Sequence, residues 1–297
     1  MSSVIELKNL TKDYGKKRAI SDVNLKVEKG EIFGFLGPNG AGKTTTIKTL
    51  LNFYKPTKGE AFIFGKNSRD HYEEIYQDVS YMPGDVQLYD RMTANKMIKF
   101  ASSLFRDVDK EYTKNLAKRL DCEMKVPYKK LSKGNKQKIG ILMALFHKPK
   151  LLVLDEPTSG LDPLSQQELY KILRELKNEG TTIFFSSHNL AEVEKICDRI
   201  GIIKEGKLVT VETVEEIRKH RKKRVEIIFG QEFKKDDFAS IPGVEVLGAN
   251  GEHLNLYAKS ASMDELLNKL SQYKIIDITA YFPDLEEIFL KYYETEK

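Results

Sequence analysis

The segment GPNGAGKTT at residues 37–45 is the part of the chain whose residue types and spacing are best suited to chemistry. It fits G-x-x-x-x-G-K-[ST], in which glycines let backbone N–H groups turn toward a bound phosphate. Lys43 can reach the terminal phosphates of a nucleotide, and the Thr44 hydroxyl can ligate Mg²⁺. The predicted nucleotide contacts are Gly37, Pro38, Asn39, Gly40, Ala41, Gly42, Lys43, Thr44 and Thr45.

A second motif, LLVLDEPTSGLD at 151–162, is an apolar run that ends in two carboxylates. Such a run is typical of a strand buried in a parallel sheet, whose carboxyl ends are where ligands bind. Asp155 is therefore suited to coordinate Mg²⁺ beside the phosphate loop. Glu156 is suited to orient or deprotonate an attacking water. The two motifs together predict hydrolysis of a nucleotide.

The elements that must position these groups follow from the local patterns. The short apolar run at 31–36 predicts a buried strand before the phosphate loop, and TTTIKTLLNF predicts a helix after it. In DPLSQQELYKILRELKNEG, Asp162 at the N-cap and Pro163 at N1 predict a second helix, with Gly180 just past its end. TTIFFSS at 181–187 predicts a further buried strand.

The C-terminal part of the chain shows a new alternation of strand and helix patterns. RVEIIFG predicts a strand, and Asn250-Gly251 between alternating apolar residues predicts a hairpin. The segments SMDELLNKLSQY and DLEEIFLKYYE predict helices, with a strand at KIIDITAYF between them. Residues 220–297 are therefore predicted to form a separate small α+β domain.

Composition excludes several classes of protein. The chain has 297 residues, 40% hydrophobic and 31% charged, as expected for a globular protein of one large or two smaller domains. Its N-terminus does not resemble a secretory signal and no run has the length of a membrane span, so we expect a cytosolic protein. Cys122 and Cys197 lie far apart without a C-x-x-C pair, which favours buried free thiols.

The net charge of +5 is too small to indicate nucleic-acid binding. The basic run IRKHRKKR at 217–224 leaves three interpretations open: a solvated helix end, a contact with anionic lipid, or a contact with nucleic acid.

With these motifs in this order, residues 4 to about 215 resemble the nucleotide-binding subunit of ABC transporters. GPNGAGKTT matches the Walker A motif, LLVLDEP the Walker B motif, and SGLD, with Asp162, the D-loop. The resemblance implies an α/β fold of the P-loop NTPase type. It implies an ABC-type ATPase core over 1–216, with a helical subdomain inserted at about 85–135 and the α+β domain at 220–297.

The resemblance also implies roles for single residues. His188 matches the switch histidine that contacts the γ-phosphate, and Tyr14 matches the aromatic residue that stacks on adenine. LSKGNKQK at 131–138 corresponds to the family signature, in which Ser132 and Gly134 are kept. In the family, this segment caps the γ-phosphate of ATP bound to the opposite subunit. Lys133 and Asn135 replace a glycine and a glutamine of that signature.

The clearest departure from the family lies in YMPGDVQ at 81–87, where Gly84 stands in place of a glutamine. In the family that glutamine touches Mg²⁺ or the attacking water and senses the membrane subunit. Glycine has no side chain for the first role. Asp85 or Gln87 could substitute, or the loop could act only as a hinge, and the sequence leaves these alternatives open.

The resemblance implies a catalytic set of Lys43, Glu156 and His188, with MgATP held by Thr44 and Asp155 between two head-to-tail subunits. The second subunit is a copy of this chain or a paralogue. Hydrolysis would drive export through a separate integral-membrane permease, with the ATPase peripheral on the cytoplasmic face of the cell membrane and no nucleic-acid partner. A soluble ABC ATPase acting on the ribosome or DNA is the alternative.

Overall fold

The computed structural model describes residues 3–15, 17–105, 108–216 and 222–282. It divides into two compact units, Met1–Glu212 and Thr213–Lys297. The predicted C-terminal helix DLEEIFLKYYE and most of the basic run at 217–224 lie outside the described residues. Within the described ranges, no helix is long and apolar enough to span a membrane.

The first unit alternates strands and helices. Its strands are β1 (Ser3–Tyr14), β2 (Lys17–Glu28), β3 (Ile32–Leu36), β4 (Lys58–Ile63), β5 (Lys66–Asn67), β6 (Val79–Met82), β7 (Leu151–Asp155), β8 (Thr182–Ser187), β9 (Arg199–Lys204) and β10 (Lys207–Thr213). Its helices are α1 (Lys43–Leu50), α2 (Tyr72–Ile75), α3 (Ala94–Ser102), α4 (Lys110–Arg119), α5 (Lys133–Leu145), α6 (Pro163–Asn178) and α7 (Leu190–Ile196). The α/β prediction is confirmed.

A six-stranded sheet in the order β10-β9-β3-β8-β7-β6 forms the centre of this unit. The strands β9, β3, β8, β7 and β6 are parallel neighbours. Every residue of β3, β7 and β8 is buried, as expected for parallel strands covered on both faces. Because these strands are parallel, the segments that follow Leu36, Asp155 and Ser187 leave the sheet at one edge.

A second sheet, in the order β2-β1-β4-β5, pairs antiparallel and packs its apolar side chains into the same core as the parallel sheet. It carries Tyr14 at the end of β1. The hairpin between β9 and β10 turns at Glu205 and Gly206, both with positive φ, and its backbone bonds to the phosphate loop through Gly206 N–H and Ala41 O at 2.9 Å.

The helices α3, α4 and α5 lie between β6 and β7 in the chain, and α3 and α5 contribute to a separate core cluster that includes Met97, Tyr128 and Ile139. The side chain of Thr93 caps α3 by accepting a hydrogen bond from the N–H of Lys96. The two cysteines are free thiols, but only Cys197 is fully buried, so the prediction of two buried thiols holds in full for one of them.

The second unit contains a four-stranded sheet in the order β12-β13-β11-β14, formed by β11 (Lys222–Phe229), β12 (Val244–Asn250), β13 (His253–Lys259) and β14 (Ile275–Tyr281). Its helices are α8 (Asp236–Ala239) and α9 (Met263–Leu270). The predicted hairpin forms, but Asn250 pairs with His253, so Gly251 and Glu252 form the turn. An irregularity between Val246 and Gly248 shifts the register of this strand pair by one residue.

Candidate nucleotide-binding and hydrolysis site

The phosphate loop connects β3 to α1 and is shaped by glycines. Gly40 and Gly42 have φ of 81° and 108°, a region that favours glycine. A Cβ at Gly42 would also lie 2.9 Å from the carbonyl oxygen of Ala19. Gly42 caps α1 without a side-chain hydrogen bond, so the first N–H groups of the helix are left for an anionic ligand.

Lys43 is buried, with 5% of its side chain exposed, and its ammonium has three oxygen partners. Nζ donates to the carbonyl oxygens of Gly37 at 2.8 Å and Pro38 at 3.2 Å, and it pairs with Glu156 Oε1 at 3.0 Å. A buried cation needs such partners to offset the loss of water. Phosphate oxygens can replace the Glu156 carboxylate as a partner of Lys43, because they are also negatively charged.

Thr44 and Asp155 form the candidate metal position. The Thr44 hydroxyl donates to Asp155 Oδ2 at 2.7 Å, and Asp155 is 2% exposed. The described residues hold no group of three or more His, Cys, Asp or Glu that could bind a metal alone. One hydroxyl and one carboxylate, supplemented by phosphate oxygens and water, are the oxygen donors that Mg²⁺ takes in nucleotide sites. The residues present therefore fit a magnesium–nucleotide complex.

Glu156 lies between two basic side chains. Its Oε1 pairs with Lys43, and its Oε2 lies 3.2 Å from Nδ1 of His188, whose side chain is 54% exposed. Glu156 itself has φ of 49°, a conformation that costs a non-glycine residue about 1–3 kcal/mol. The chain at the end of β7 is thus held in a strained turn that directs this carboxylate toward the phosphate loop.

Four hydroxyl and amide side chains that the sequence did not single out support these groups. The Ser186 hydroxyl donates to Asp155 Oδ1 at 2.6 Å. Gln137 of α5 is buried, and its Nε2 donates to the carbonyl oxygen of Pro157 at 2.9 Å. Ser187 and Thr158 both donate to the same oxygen of Glu192, which connects the segment after β7 to the segment after β8.

A cavity of about 510 Å³ extends from the phosphate loop to Tyr14. Of the predicted residues, Tyr14, Asn39, Gly40, Gly42, Lys43, Thr44, Thr45 and Glu156 line it, together with Arg18, Ala19 and Glu205, which were not predicted. The Tyr14 ring is half-exposed and meets the ring of Tyr54 edge-on at 5.8 Å. Burial raises the pKa of the Tyr14 phenol above its ordinary value.

The signature residues and Asp162 lie elsewhere in the unit. Ser132 caps α5 by accepting from the N–H of Asn135 at 3.2 Å, and Asp162 caps α6 by accepting from the N–H of Ser165 at 2.9 Å. A Cβ on Gly134 would lie 3.0 Å from the carbonyl oxygen of Gly160, so the signature and D-loop segments are in contact. Neither segment lines the cavity.

Gly84 lies against the metal position. A Cβ there would be 3.2 Å from the carbonyl oxygen of Asp155. Asp85 and Gln87 are exposed and bonded to each other at 2.9 Å, between Gln87 Nε2 and Asp85 Oδ2. The loop that carries a glutamine in the family therefore lies beside Asp155 in this chain as well. Residue 84 is a glycine, so only its backbone is close to Asp155.

Comparisons with known proteins place this geometry in a family. The family model described as "ABC transporter" matches residues 20–159, and that of the "ATP-binding protein DrrA1-3-like, C-terminal domain" matches residues 213–293. The chain is 39% identical over 229 residues to the bacitracin transport ATP-binding protein BcrA of Bacillus licheniformis, covering 76% of this chain and 75% of that protein. It is 38% identical over 208 residues to the lantibiotic transport ATP-binding protein SrtF of Streptococcus pyogenes, covering 69% and 89%.

Solved structures agree with the sequence comparisons. An ATP-binding subunit of an ABC transporter matches with a TM-score of 0.68 and 32% identity, over 73% of this chain and 92% of that one. The dimeric structure of a bacterial ABC transporter cassette matches with a TM-score of 0.65 and 26% identity, over 71% and 98%. From its motifs, its fold and these relatives, the chain belongs to the ATP-binding subunits of ABC transporters and is an ATPase of that family.

Proposed function

We propose that two copies of this subunit, or one copy and a paralogue, bind two ATP molecules between them head to tail and couple hydrolysis to export through a separate membrane permease. The observation that carries the proposal is the cluster of Lys43, Thr44, Asp155, Glu156 and His188 at one edge of the parallel sheet. Phosphoryl transfer to water needs positive charge at the phosphates, a metal and a positioned base, and this cluster supplies positions for all three.

Each residue of the cluster has one task in the proposed reaction. The N–H groups at the start of α1 and the Lys43 ammonium bind the phosphates, which frees the Glu156 carboxylate from its ion pair. Glu156 then accepts a proton from the attacking water, and His188 holds its other oxygen in place. When bound between Thr44 and Asp155, Mg²⁺ would neutralise charge on the phosphates.

The signature position supports the dimer. Ser132 and Gly134 do not line the cavity of their own chain, whereas the resemblance requires them to cap ATP. A second subunit placed head to tail provides the missing contact, and the similarity to a dimeric cassette agrees with this arrangement. Residues 1–216 would then be the ATPase core and residues 220–297 an accessory domain.

The relatives support a cargo class. Their names refer to transport of bacitracin and of lantibiotics, so we propose an antibacterial peptide as the exported substrate. The ATPase would work on the cytoplasmic face of the cell membrane, bound to its permease. The family membership favours this reading over a soluble ATPase acting on the ribosome or DNA.

The test is affinity capture of the chain from detergent-solubilised membranes of its own cell, followed by mass spectrometry. We expect a polytopic membrane protein in near-equal amounts. Deleting the gene of either partner should then raise sensitivity to the same peptide. Capture of ribosomal or DNA-bound proteins without any membrane protein would contradict the transporter and support the soluble alternative.

A further inference from the structure

Ser186 is fully buried near the end of β8, and its hydroxyl lies between the two functional carboxylate residues. Oγ donates to Asp155 Oδ1 at 2.6 Å and accepts the backbone N–H of Glu156 at 3.1 Å. One side chain on a neighbouring strand therefore touches both the candidate metal carboxylate and the backbone of the candidate base.

The two carboxylate oxygens of Asp155 have different partners. Ser186 binds Oδ1, whereas Oδ2 faces the hydroxyl of Thr44 at 2.7 Å. A carboxylate that is held by one oxygen keeps the other in a fixed direction, and hydrogen bonds of this kind to a metal-binding carboxylate tune metal affinity. Without the Ser186 hydroxyl, a buried charged oxygen would lose this donor and the carboxylate would be free to turn.

The contact with Glu156 acts on its backbone. The N–H of Glu156 lies 3.2 Å from the carbonyl oxygen of Ser186 and 3.1 Å from its hydroxyl, so both oxygens of one residue share this donor. Glu156 has φ of 49°, and a strained conformation persists only where its surroundings hold it. The direction of the Glu156 side chain, between Lys43 and His188, depends on that turn.

We propose that Ser186 is a positioning residue for the hydrolysis reaction, which fixes the metal-facing oxygen of Asp155 and the strained backbone of Glu156 at the same time. The inference rests on the proposed metal position at Thr44 and Asp155. It assigns to β8 a part in catalysis that the motif residues of the sequence do not include.

The test compares Ser186→Ala with Thr182→Val, a matched loss of a buried hydroxyl at the other end of the same strand. Thr182 is 1% exposed and accepts the N–H of Gly30 at 2.9 Å, away from the site. The readouts are Mn²⁺ binding in the presence of ATP by electron paramagnetic resonance, the kcat and KM for ATP, and the melting temperature. Ser186→Thr, which keeps the hydroxyl, is the conservative variant.

For Ser186→Ala we expect about tenfold weaker Mn²⁺ binding and a kcat reduced by about tenfold or more. KM at saturating metal should stay near the wild-type value, because the phosphate loop and Tyr14 are untouched. Thr182→Val should lower the melting temperature without changing Mn²⁺ affinity, and Ser186→Thr should restore most of the binding.

Equal Mn²⁺ affinity and kcat in Ser186→Ala and Thr182→Val would overturn the positioning role and leave the proposed function intact. A wild-type protein that binds no Mn²⁺ with ATP would instead overturn the metal position itself, and the inference with it.

Discussion

In the structure, the reactive groups of the candidate site are paired with one another. Glu156 is bound by Lys43 through one oxygen and by His188 through the other, while Lys43 also holds two carbonyl groups of the phosphate loop. We propose that Lys43 keeps the Glu156 carboxylate from acting fully as a base, so that nucleotide binding and activation of Glu156 are linked through this one ion pair.

Glu156→Gln tests the base directly. We expect the variant to bind ATP at least as well as the wild type, because the neutral amide forms no ion pair with Lys43 that the phosphates would have to displace. Turnover should fall by about 10²-fold or more, since the proton acceptor is lost, and the ATP-bound dimer should accumulate. Fluorescent ATP binding, phosphate release and size-exclusion chromatography measure the three effects. Glu73→Gln, on the exposed surface of α2, is the charge-matched control, and near-normal turnover in Glu156→Gln would remove Glu156 from the base role.

The sequence predicts the site residues that lie within one motif. Lys43 and Thr44 follow a glycine loop, and Asp155 and Glu156 follow an apolar run. Their roles can therefore be predicted from residues that are adjacent in the sequence. Ser186 meets Asp155 across 31 positions of sequence, and Gln137 meets Pro157 across 20. Serine and glutamine occur in many settings, and only the folded chain shows which ones contact the end of β7 and the residues after it.

At the scale of elements, the turn from β3 into α1 requires glycine at residue 42, because the backbone there has a positive φ and there is no room for a Cβ. Gly42→Ala should destabilise the protein by about 1–3 kcal/mol and weaken ATP binding. An alanine is strained at the φ of 108° found here, and its Cβ would also collide with Ala19 and Ile20. Denaturant unfolding and ATP titration measure both effects.

Gly180→Ala is the matched control for the glycine turn. Gly180 has φ of 101°, but a Cβ there meets nothing within 4 Å. It should lose stability through backbone strain alone and keep the ATP affinity of the wild type. Equal ATP affinity in the two variants would show that the crowding around Gly42 does not shape the site.

A histidine in the turn that follows α5 should make stability depend on pH. His147 stacks on Phe105 with ring centroids 4.1 Å apart, and neither ring nitrogen has a hydrogen-bond partner among the described residues. Burial lowers the pKa of His147 from 6.5 to about 4. Between these values the unfolded chain binds a proton that the folded chain does not, so this residue lowers the stability as pH falls from 6.5 toward 4.

His147→Phe keeps a ring for the stacking contact and removes the titration. Above pH 6.5 the two proteins should differ little in pH dependence. Between pH 6.5 and 4, the wild type should lose on the order of 2 kcal/mol more than the variant. Urea unfolding at several pH values measures the difference. Parallel stability curves for both proteins across this range would contradict a buried neutral histidine.

Sequence patterns predict where a helix begins better than they predict which residues of two strands pair with each other. Asp162 and Pro163 begin α6 and Thr93 caps α3, because capping is decided by residues within one turn. The turn between β12 and β13 lies one residue later than the Asn250-Gly251 prediction, and its position is set by the register in which the two strands pair. That register depends on the partner strand, which no local pattern contains.

At the scale of the whole molecule, the described cavity and all its lining residues belong to the first compact unit. A chain that ends after residue 216 should therefore fold and bind ATP with the affinity of the full-length protein. Circular dichroism and fluorescent ATP binding test this. Loss of ATP binding in a folded truncated chain would show that residues 220–297 contribute to the site.

The truncated chain also separates the tasks of the two units. If residues 220–297 serve assembly or regulation, ATP affinity should survive truncation while capture of the membrane partner or the ATP-induced dimer is reduced. If they only buttress the core, the melting temperature should fall and both assembly steps should remain. The family model for the C-terminal domain matches residues 213–293, so the cut after residue 216 removes nearly all of it.

The ion pair between Lys43 and Glu156 has a consequence for selectivity. A small anion such as inorganic phosphate or sulfate should have to separate Lys43 from Glu156 to bind, and it has no base that could contact the Tyr14 ring. A nucleotide offsets the same cost with contacts along the whole cavity. The phosphate loop should therefore discriminate against the abundant free anions of a cell, so that they compete little with ATP.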